Sequence, residues 1–234
     1  MKILVFDDSP IHRKAAELSL KGHELTVVGT YDEAQAALLP NLDREKQKRI
    51  FAKKFGDNDP YKRDGITDEV RQQRMDYFYS VEREATSYPN FDVVLTDLLV
   101  PASQQAQGPD GSRYVGQEMP LGTTIALLAL VAGVKKVAVV TDMNHHNHPA
   151  SAAFDCFGNT NKPGANIICT NRVGEVAIDE ATGEPVDQQF LKSDEGKKKY
   201  PYPEGKTWGD RKGLSWGKDW GNILIQLIGE EAAE

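Results

Sequence analysis

Short apolar runs alternate with segments of helical periodicity along most of the chain. The runs have the length of strands and are apolar at consecutive positions: residues 2–6, 24–29, 91–97, 136–141 and 165–170. The segments with helical spacing lie between or after them: residues 10–21, 32–39, 120–132, 149–157 and 218–234. Strands that are apolar at consecutive positions are buried on both faces, so this alternation predicts an α/β fold with a parallel sheet covered by helices on both sides.

Three segments interrupt the alternation. Residues 41–90 are highly charged and predict two helices, the second with a single apolar stripe. Residues 102–118 have the composition of a loop, and residues 172–217 begin with a predicted hairpin and continue with little periodicity. We therefore expect one domain over residues 1–234, with 41–90 as a helical insertion and 172–217 as a hairpin and irregular excursion before the final helix.

Carboxylate or hydroxyl side chains stand at the ends of three predicted strands. Asp7 and Asp8 follow the first strand, Asp97 ends the third and Thr141 ends the fourth. The carboxyl ends of parallel strands meet at one edge of a sheet, where binding sites of such folds lie. The three acids are therefore expected to converge if the first and third strands are neighbours.

Three converging carboxylates would repel each other unless a cation lies among them. Oxygen ligands of this kind suit Mg²⁺, which keeps waters that a phosphate can replace. A carboxylate beside the ion, Asp97, could act as a nucleophile towards phosphorus, and the Thr141 hydroxyl could donate a hydrogen bond to a phosphoryl oxygen. For Asp7 and Asp8 taken alone, capping of the first helix is the simpler interpretation.

Four segments, in this order, resemble the receiver domain of two-component response regulators: ILVFDDSP, VVGTYDEAQAAL, FDVVLTDLLVP and KVAVVTD. The resemblance covers residues 1–40, 90–101 and 120–171 together with the last helix. It implies a flavodoxin-like (CheY-like), doubly wound fold with five parallel strands.

The resemblance also implies a set of site residues and partners. Asp97 would be the phosphoacceptor, Asp7 and Asp8 the acids that bind Mg²⁺, the backbone carbonyl of Leu99 a further metal ligand and Thr141 the switch hydroxyl. A histidine kinase or phosphotransfer protein would supply the phosphoryl group, and an output protein would receive the signal.

The lysine that receivers carry at the end of the fifth strand is missing from that place. Asn171 occupies the position and Arg172 follows it, whereas Lys162 precedes the predicted strand. Either Lys162 reaches the site from a loop, or Arg172 substitutes for it, or no lysine takes part. Arginine is a poor substitute because its planar fork is not a point charge on a flexible stem. Asp142 also departs from the small residue that the family prefers there.

Composition narrows the function classes. A formal net charge of −7 argues against general nucleic-acid binding, which needs a basic surface. The two cysteines, Cys156 and Cys169, are too few for a disulfide framework and fit a reducing cytoplasm. The longest apolar segment, residues 123–134, is too short to span a bilayer, and the apolar run at the N-terminus is too short for a signal peptide. We expect a soluble, cytoplasmic protein without a membrane partner.

Two further clusters have alternative interpretations. His145, His146 and His148 follow the fourth strand and could bind a transition metal, although a polar loop explains them more simply. The aromatic residues at 77–79 could form a surface for a homodimer or pack within the insertion.

The sequence thus predicts a stand-alone receiver-like signalling protein that is phosphorylated on Asp97 and acts through protein contacts, rather than an enzyme. One alternative is a receiver-like binding module that works without phosphorylation. Another is a metal-dependent phosphohydrolase that uses the acids and the histidine loop.

Overall fold

The computed structural model describes residues 1–103, 109–141, 166–171, 173–203 and 211–229. The strands are β1 (Lys2–Phe6), β2 (Glu24–Val28), β3 (Asn41–Leu42), β4 (Thr86–Ser87), β5 (Val93–Asp97), β6 (Val100–Pro101), β7 (Glu118–Met119), β8 (Lys136–Val140), β9 (Ile167–Thr170), β10 (Glu175–Asp179), β11 (Pro185–Val186) and β12 (Leu214–Lys218). The helices are α1 (Pro10–Ser19), α2 (Tyr31–Leu38), α3 (Arg44–Phe55), α4 (Asp68–Ser80), α5 (Glu82–Ala85), α6 (Pro109–Ser112), α7 (Gly122–Val131), α8 (Gln188–Lys192), α9 (Asp194–Lys199) and α10 (Trp220–Ile228).

The main sheet has five parallel strands in the order β2-β1-β5-β8-β9. This confirms the predicted α/β arrangement with a five-stranded parallel sheet, in which the first and third predicted strands are neighbours. The register sets Phe6 beside Thr96, so Asp7 and Asp97 come next at the same level of the sheet. Asp97 in turn lies beside Val140, the residue before Thr141.

Both faces of the sheet are covered because its strands are apolar on both faces. On one face, α1 and α10 pack on alternate strand residues in a core that includes Val5, Leu95 and the fully buried Trp220. Intervening residues such as Val94 point to the other face, and α7 packs against β5 and β8. The predicted helix over 149–157 lies outside the described residues.

The chain divides into two compact units, Met1–Ala37 with Asn90–Glu234 and Leu38–Pro89. The second unit contains α3 and α4, which match the two helices expected there, and the short α5. Asp43 caps α3 by accepting a hydrogen bond from the Lys46 amide, and Gly56 ends this helix in the left-handed conformation. Within the unit, Phe51 is fully buried and stacks on Phe55.

The described parts of the segment expected to be irregular, residues 173–203 and 211–217, contain more regular structure than predicted. The hairpin is present, with β10 antiparallel to β11. A third strand, β12, pairs along the whole of β10, and α8 and α9 lie between β11 and β12 in the chain. The final helix also begins at Trp220 rather than at residue 218, because Asp219 caps it by accepting from the Asn222 amide.

The loop before α7 contains some regular structure. The segment 102–118 contains the short helix α6, and Glu118 pairs with Pro101 in a two-stranded ladder. Among the helices of the described ranges, none combines the length and apolarity needed to cross a bilayer.

Candidate functional site

The structure brings the three predicted acids together at the carboxyl edge of the main sheet. Asp7 and Asp8 follow β1, and Asp97 is the last residue of the adjacent β5. One carboxylate oxygen from each of the three lies within 4.8 Å of the others. This spacing allows a single small cation to contact all three side chains.

Asp7 is fully buried, and both of its carboxylate oxygens accept hydrogen bonds. Oδ1 accepts from the Ser9 amide at 2.9 Å and Oδ2 accepts from Lys218 Nζ at 2.8 Å. The bond to Ser9 holds the turn between β1 and α1. Ser9 precedes the first residue of α1, so this bond is not a cap of the helix itself, and the other oxygen of Asp7 lies in the site.

Lys218 is a site residue that the sequence analysis missed. Its ammonium donates to Asp7 Oδ2 and to Asp97 Oδ1, the latter at 2.7 Å, and its side chain is 2% exposed. The lysine is the last residue of β12, so it does not come from any strand of the parallel sheet. The short segment LSWGK and the helix cap that follows it were the only signals in the sequence, and neither points to a site.

The position of Lys218 is fixed by contacts with α1. The Lys218 amide donates to His12 Nδ1 at 3.2 Å, and the Trp220 indole donates to the His12 carbonyl at 2.9 Å. A Cβ on Gly217 would lie 2.4 Å from the Ala15 Cβ, so only glycine lets β12 approach α1 this closely. These contacts hold the Lys218 side chain beside Asp7 and Asp97, which are far from it in the sequence.

Asp8 is the most open of the three acids. It is half-buried, and no other residue of the described ranges donates a hydrogen bond to its carboxylate. Burial and, after it, the charge of Asp7 raise the pKa of Asp8, against smaller opposing contributions that include the charge of Lys218. Arg13 fixes the backbone here by donating to the carbonyls of Asp7 and Asp8 at 2.9 and 2.6 Å.

The other predicted residues are distributed as follows. Thr141 is buried directly after β8, and its amide donates to the Thr170 carbonyl at 3.1 Å. Leu99 is half-buried two residues after Asp97. Asn171 is exposed after β9, and the ammonium that donates to Asp97 belongs to Lys218.

Several expectations fall on residues that the structure does not describe. Lys162, Arg172 and Asp142 lie outside the described ranges, as does the histidine loop 145–148. Of the two cysteines, Cys169 is free and half-buried, and burial raises the pKa of its thiol to about 11. This thiol remains protonated at neutral pH.

No family model, curated protein or solved structure matches this chain. The function is therefore inferred from the residues of the site themselves.

Proposed function

We propose that the chain is a receiver-like signalling protein that accepts a phosphoryl group on Asp97 in the presence of Mg²⁺. The observation that carries the proposal is the buried Asp97 carboxylate, which has Lys218 Nζ 2.7 Å from one oxygen and two further acids beside it. A carboxylate, a cluster of oxygen ligands and an ammonium are the groups that phosphorylation of an aspartate requires. Lys218 would also take the role of the lysine that receivers carry at the end of the fifth strand, where this chain has Asn171.

The donor set fits Mg²⁺. Asp7, Asp8 and Asp97 with the Leu99 carbonyl would hold the ion through oxygen atoms alone, which is the ligand type that Mg²⁺ prefers. If all three acids are ionised, three carboxylates and one ammonium leave two negative charges, which match a divalent cation. When bound, the ion would neutralise charge on the transferring phosphoryl oxygens.

The proposed reaction is a direct displacement at phosphorus. An oxygen of the Asp97 carboxylate attacks the phosphorus, the bond from phosphorus to the leaving group breaks, and the leaving group departs with the electron pair. Lys218 would stabilise the negative charge on the phosphoryl oxygens, and Thr141 at the end of the neighbouring strand would donate to one of them. The physiological donor would be a histidine kinase or phosphotransfer protein, and the output would be a change in a protein contact.

Intact mass after incubation with acetyl phosphate and Mg²⁺ tests the proposal. We expect the wild type to gain one phosphoryl group and Asp97→Asn to gain none. Asp92→Asn is the matched control, because Asp92 is an exposed acid before the same strand and should leave the gain unchanged. If the wild type binds Mg²⁺ but gains no phosphoryl group, the proposal is wrong and a phosphorylation-independent binding module becomes the better account.

A further inference from the structure

The lysine of the site is carried by a strand of a different sheet from the one that carries the acids. We infer that the antiparallel sheet β11-β10-β12 is the element that responds to the chemical state of Asp97. The inference rests on the proposed function, because phosphorylation would be the physiological change of state. It differs from what the resemblance implies, since a switch through Thr141 would act within the parallel sheet.

The position of the Lys218 ammonium depends first on the negative charge of Asp97. The Lys218 ammonium lies between Asp7, which is 0% exposed, and Asp97, whose side chain is 10% exposed. A buried ammonium must keep anionic partners, because an unpaired buried charge is strongly unfavourable. Any reaction that moves or removes negative charge at Asp97 therefore changes the position that the ammonium prefers.

A displacement of the Lys218 side chain would next move the backbone of β12. Lys218 has little freedom to move within its surroundings, because its side chain is buried and Gly217 sits directly on α1. The adjacent residue is also held, since the Asp219 amide donates to the Gly174 carbonyl at 2.8 Å. A displacement of the ammonium is therefore passed to the backbone of β12 and to the segment that leads into β10.

A displacement of β12 would then reach the rest of the antiparallel sheet. Strand β12 pairs with β10 over five residues, from Lys218 beside Glu175 to Leu214 beside Asp179. At this far end, the buried Asp179 carboxylate accepts hydrogen bonds from Lys199 at 3.0 Å and from Tyr200. Both donors lie at the end of α9, so β12 and β10 together connect the site to the end of this helix.

Hydrogen exchange of the backbone amides in β10 and β12 tests this path from Asp97 to the antiparallel sheet. The exchange is measured by mass spectrometry on the metal-free protein. We expect Asp97→Asn to change exchange in these strands on the order of tenfold, because it removes one charged partner of Lys218. Asp8→Asn is the matched control, since it removes the same charge from the same site without removing a hydrogen bond to Lys218. In a Lys218→Met background, the additional effect of Asp97→Asn on β10 and β12 should disappear.

Two results would overturn the inference. One is equal exchange in β10 and β12 for Asp97→Asn and Asp8→Asn, a comparison that does not require any Lys218 variant to fold. The other is an effect of Asp97→Asn that persists in the Lys218→Met background.

Intact mass measured on wild-type samples with acetyl phosphate and Mg²⁺ separates this inference from the proposed function. If the wild type gains one phosphoryl group and exchange in β10 and β12 is the same before and after phosphorylation, the proposed function is supported and the inference is wrong. No gain, together with the expected effect of Asp97→Asn, means that the link between Asp97 and β12 stands and the phosphoacceptor function falls.

Discussion

Lys218 carries a positive charge into a place where two carboxylates are almost inaccessible to water. Each of the three charges is costly to remove from water, and the free energy is recovered only while all of them are paired. Removal of the ammonium would leave the Asp7 and Asp97 carboxylates close together without the positive charge that now contacts both. The lysine is therefore as important for the folded state as it is for the proposed chemistry.

We expect Lys218→Met to lower the free energy of unfolding of the metal-free protein by about 3–5 kcal/mol, measured by urea denaturation with a chelator present. Mg²⁺ should restore part of the loss, because the ion would neutralise the same carboxylates. Lys197→Met is the control, since Lys197 is 53% exposed and its pair with Asp194 at 3.6 Å lies on the surface, so the change should stay within about 0.5 kcal/mol. Equal stability of the two variants would contradict the buried ion pairs.

The acids of the site could be predicted from the sequence and the lysine could not. Asp7 and Asp97 directly follow residues that are recognisable as buried strands, and parallel pairing brings such positions to one edge. Lys218 is the last residue of a five-residue strand that contains a glycine and a tryptophan, and its approach to the acids depends on the packing of Gly217 on α1. Tertiary packing of this kind leaves no periodic signal in the sequence.

At the scale of the element, the start of α7 is adapted to the end of β5. The Gly122 amide donates to the Leu98 carbonyl at 3.1 Å, and a Cβ on Gly122 would lie 1.8 Å from the Asp97 carbonyl oxygen. No side chain larger than hydrogen fits without moving the helix or the strand. The helix thus fixes the backbone of the proposed phosphoacceptor.

Gly122→Ala should lower the free energy of unfolding by about 1–3 kcal/mol, measured by thermal or urea denaturation. The sign of this change is informative, because replacing glycine by alanine in a helix without a steric clash normally stabilises it, by up to about 1 kcal/mol in a helix interior. Thr124→Ala, an exposed position in the same helix, serves as the control and should not destabilise the protein. A stabilising effect at position 122 would show that α7 does not approach Asp97 this closely.

The predicted elements were those whose apolar pattern is long and regular. The five strands of the main sheet are nearly continuous apolar runs, and the final helix has a strong apolar face, so both are evident in the sequence. Strand β12 is as long as the strands of the main sheet, but its sequence LSWGK is not a continuous apolar run, and helices α8 and α9 are only five and six residues long. Such segments are specified mainly by what they pack against, which in β12 is the whole length of β10.

At the scale of the whole molecule, the unit Leu38–Pro89 has an aromatic core of its own. The Phe51 ring lies 4.8 Å from Phe55 and 5.7 Å from Phe78, and the Arg74 guanidinium lies 5.0 Å from the Phe51 ring. A unit of this size buries little surface, so its stability depends on few side chains. Phe51 is the central one because it contacts all three of the others.

We expect Phe51→Ala to destabilise this unit by about 3–5 kcal/mol and to accelerate hydrogen exchange in α3 and α4. Tyr88→Ala is the control, because Tyr88 is 60% exposed and its removal should change stability by no more than about 0.5 kcal/mol. If exchange in β1 and β5 accelerates as much as in α3 and α4, the unit does not open by itself.

The ion pairs of Lys218 close over very long stretches of chain, 211 positions from Asp7 and 121 from Asp97. During synthesis, β1 and β5 leave the ribosome well before β12, so the parallel strands can pair while their acids still lack the ammonium. The charged centre is therefore completed late in folding, after the entropy of closing these loops has been lost. A nascent chain interrupted before β12 would keep a hydrated acidic pair at the edge of its sheet, and the proposed phosphorylation of Asp97 would become possible only when synthesis has passed Lys218.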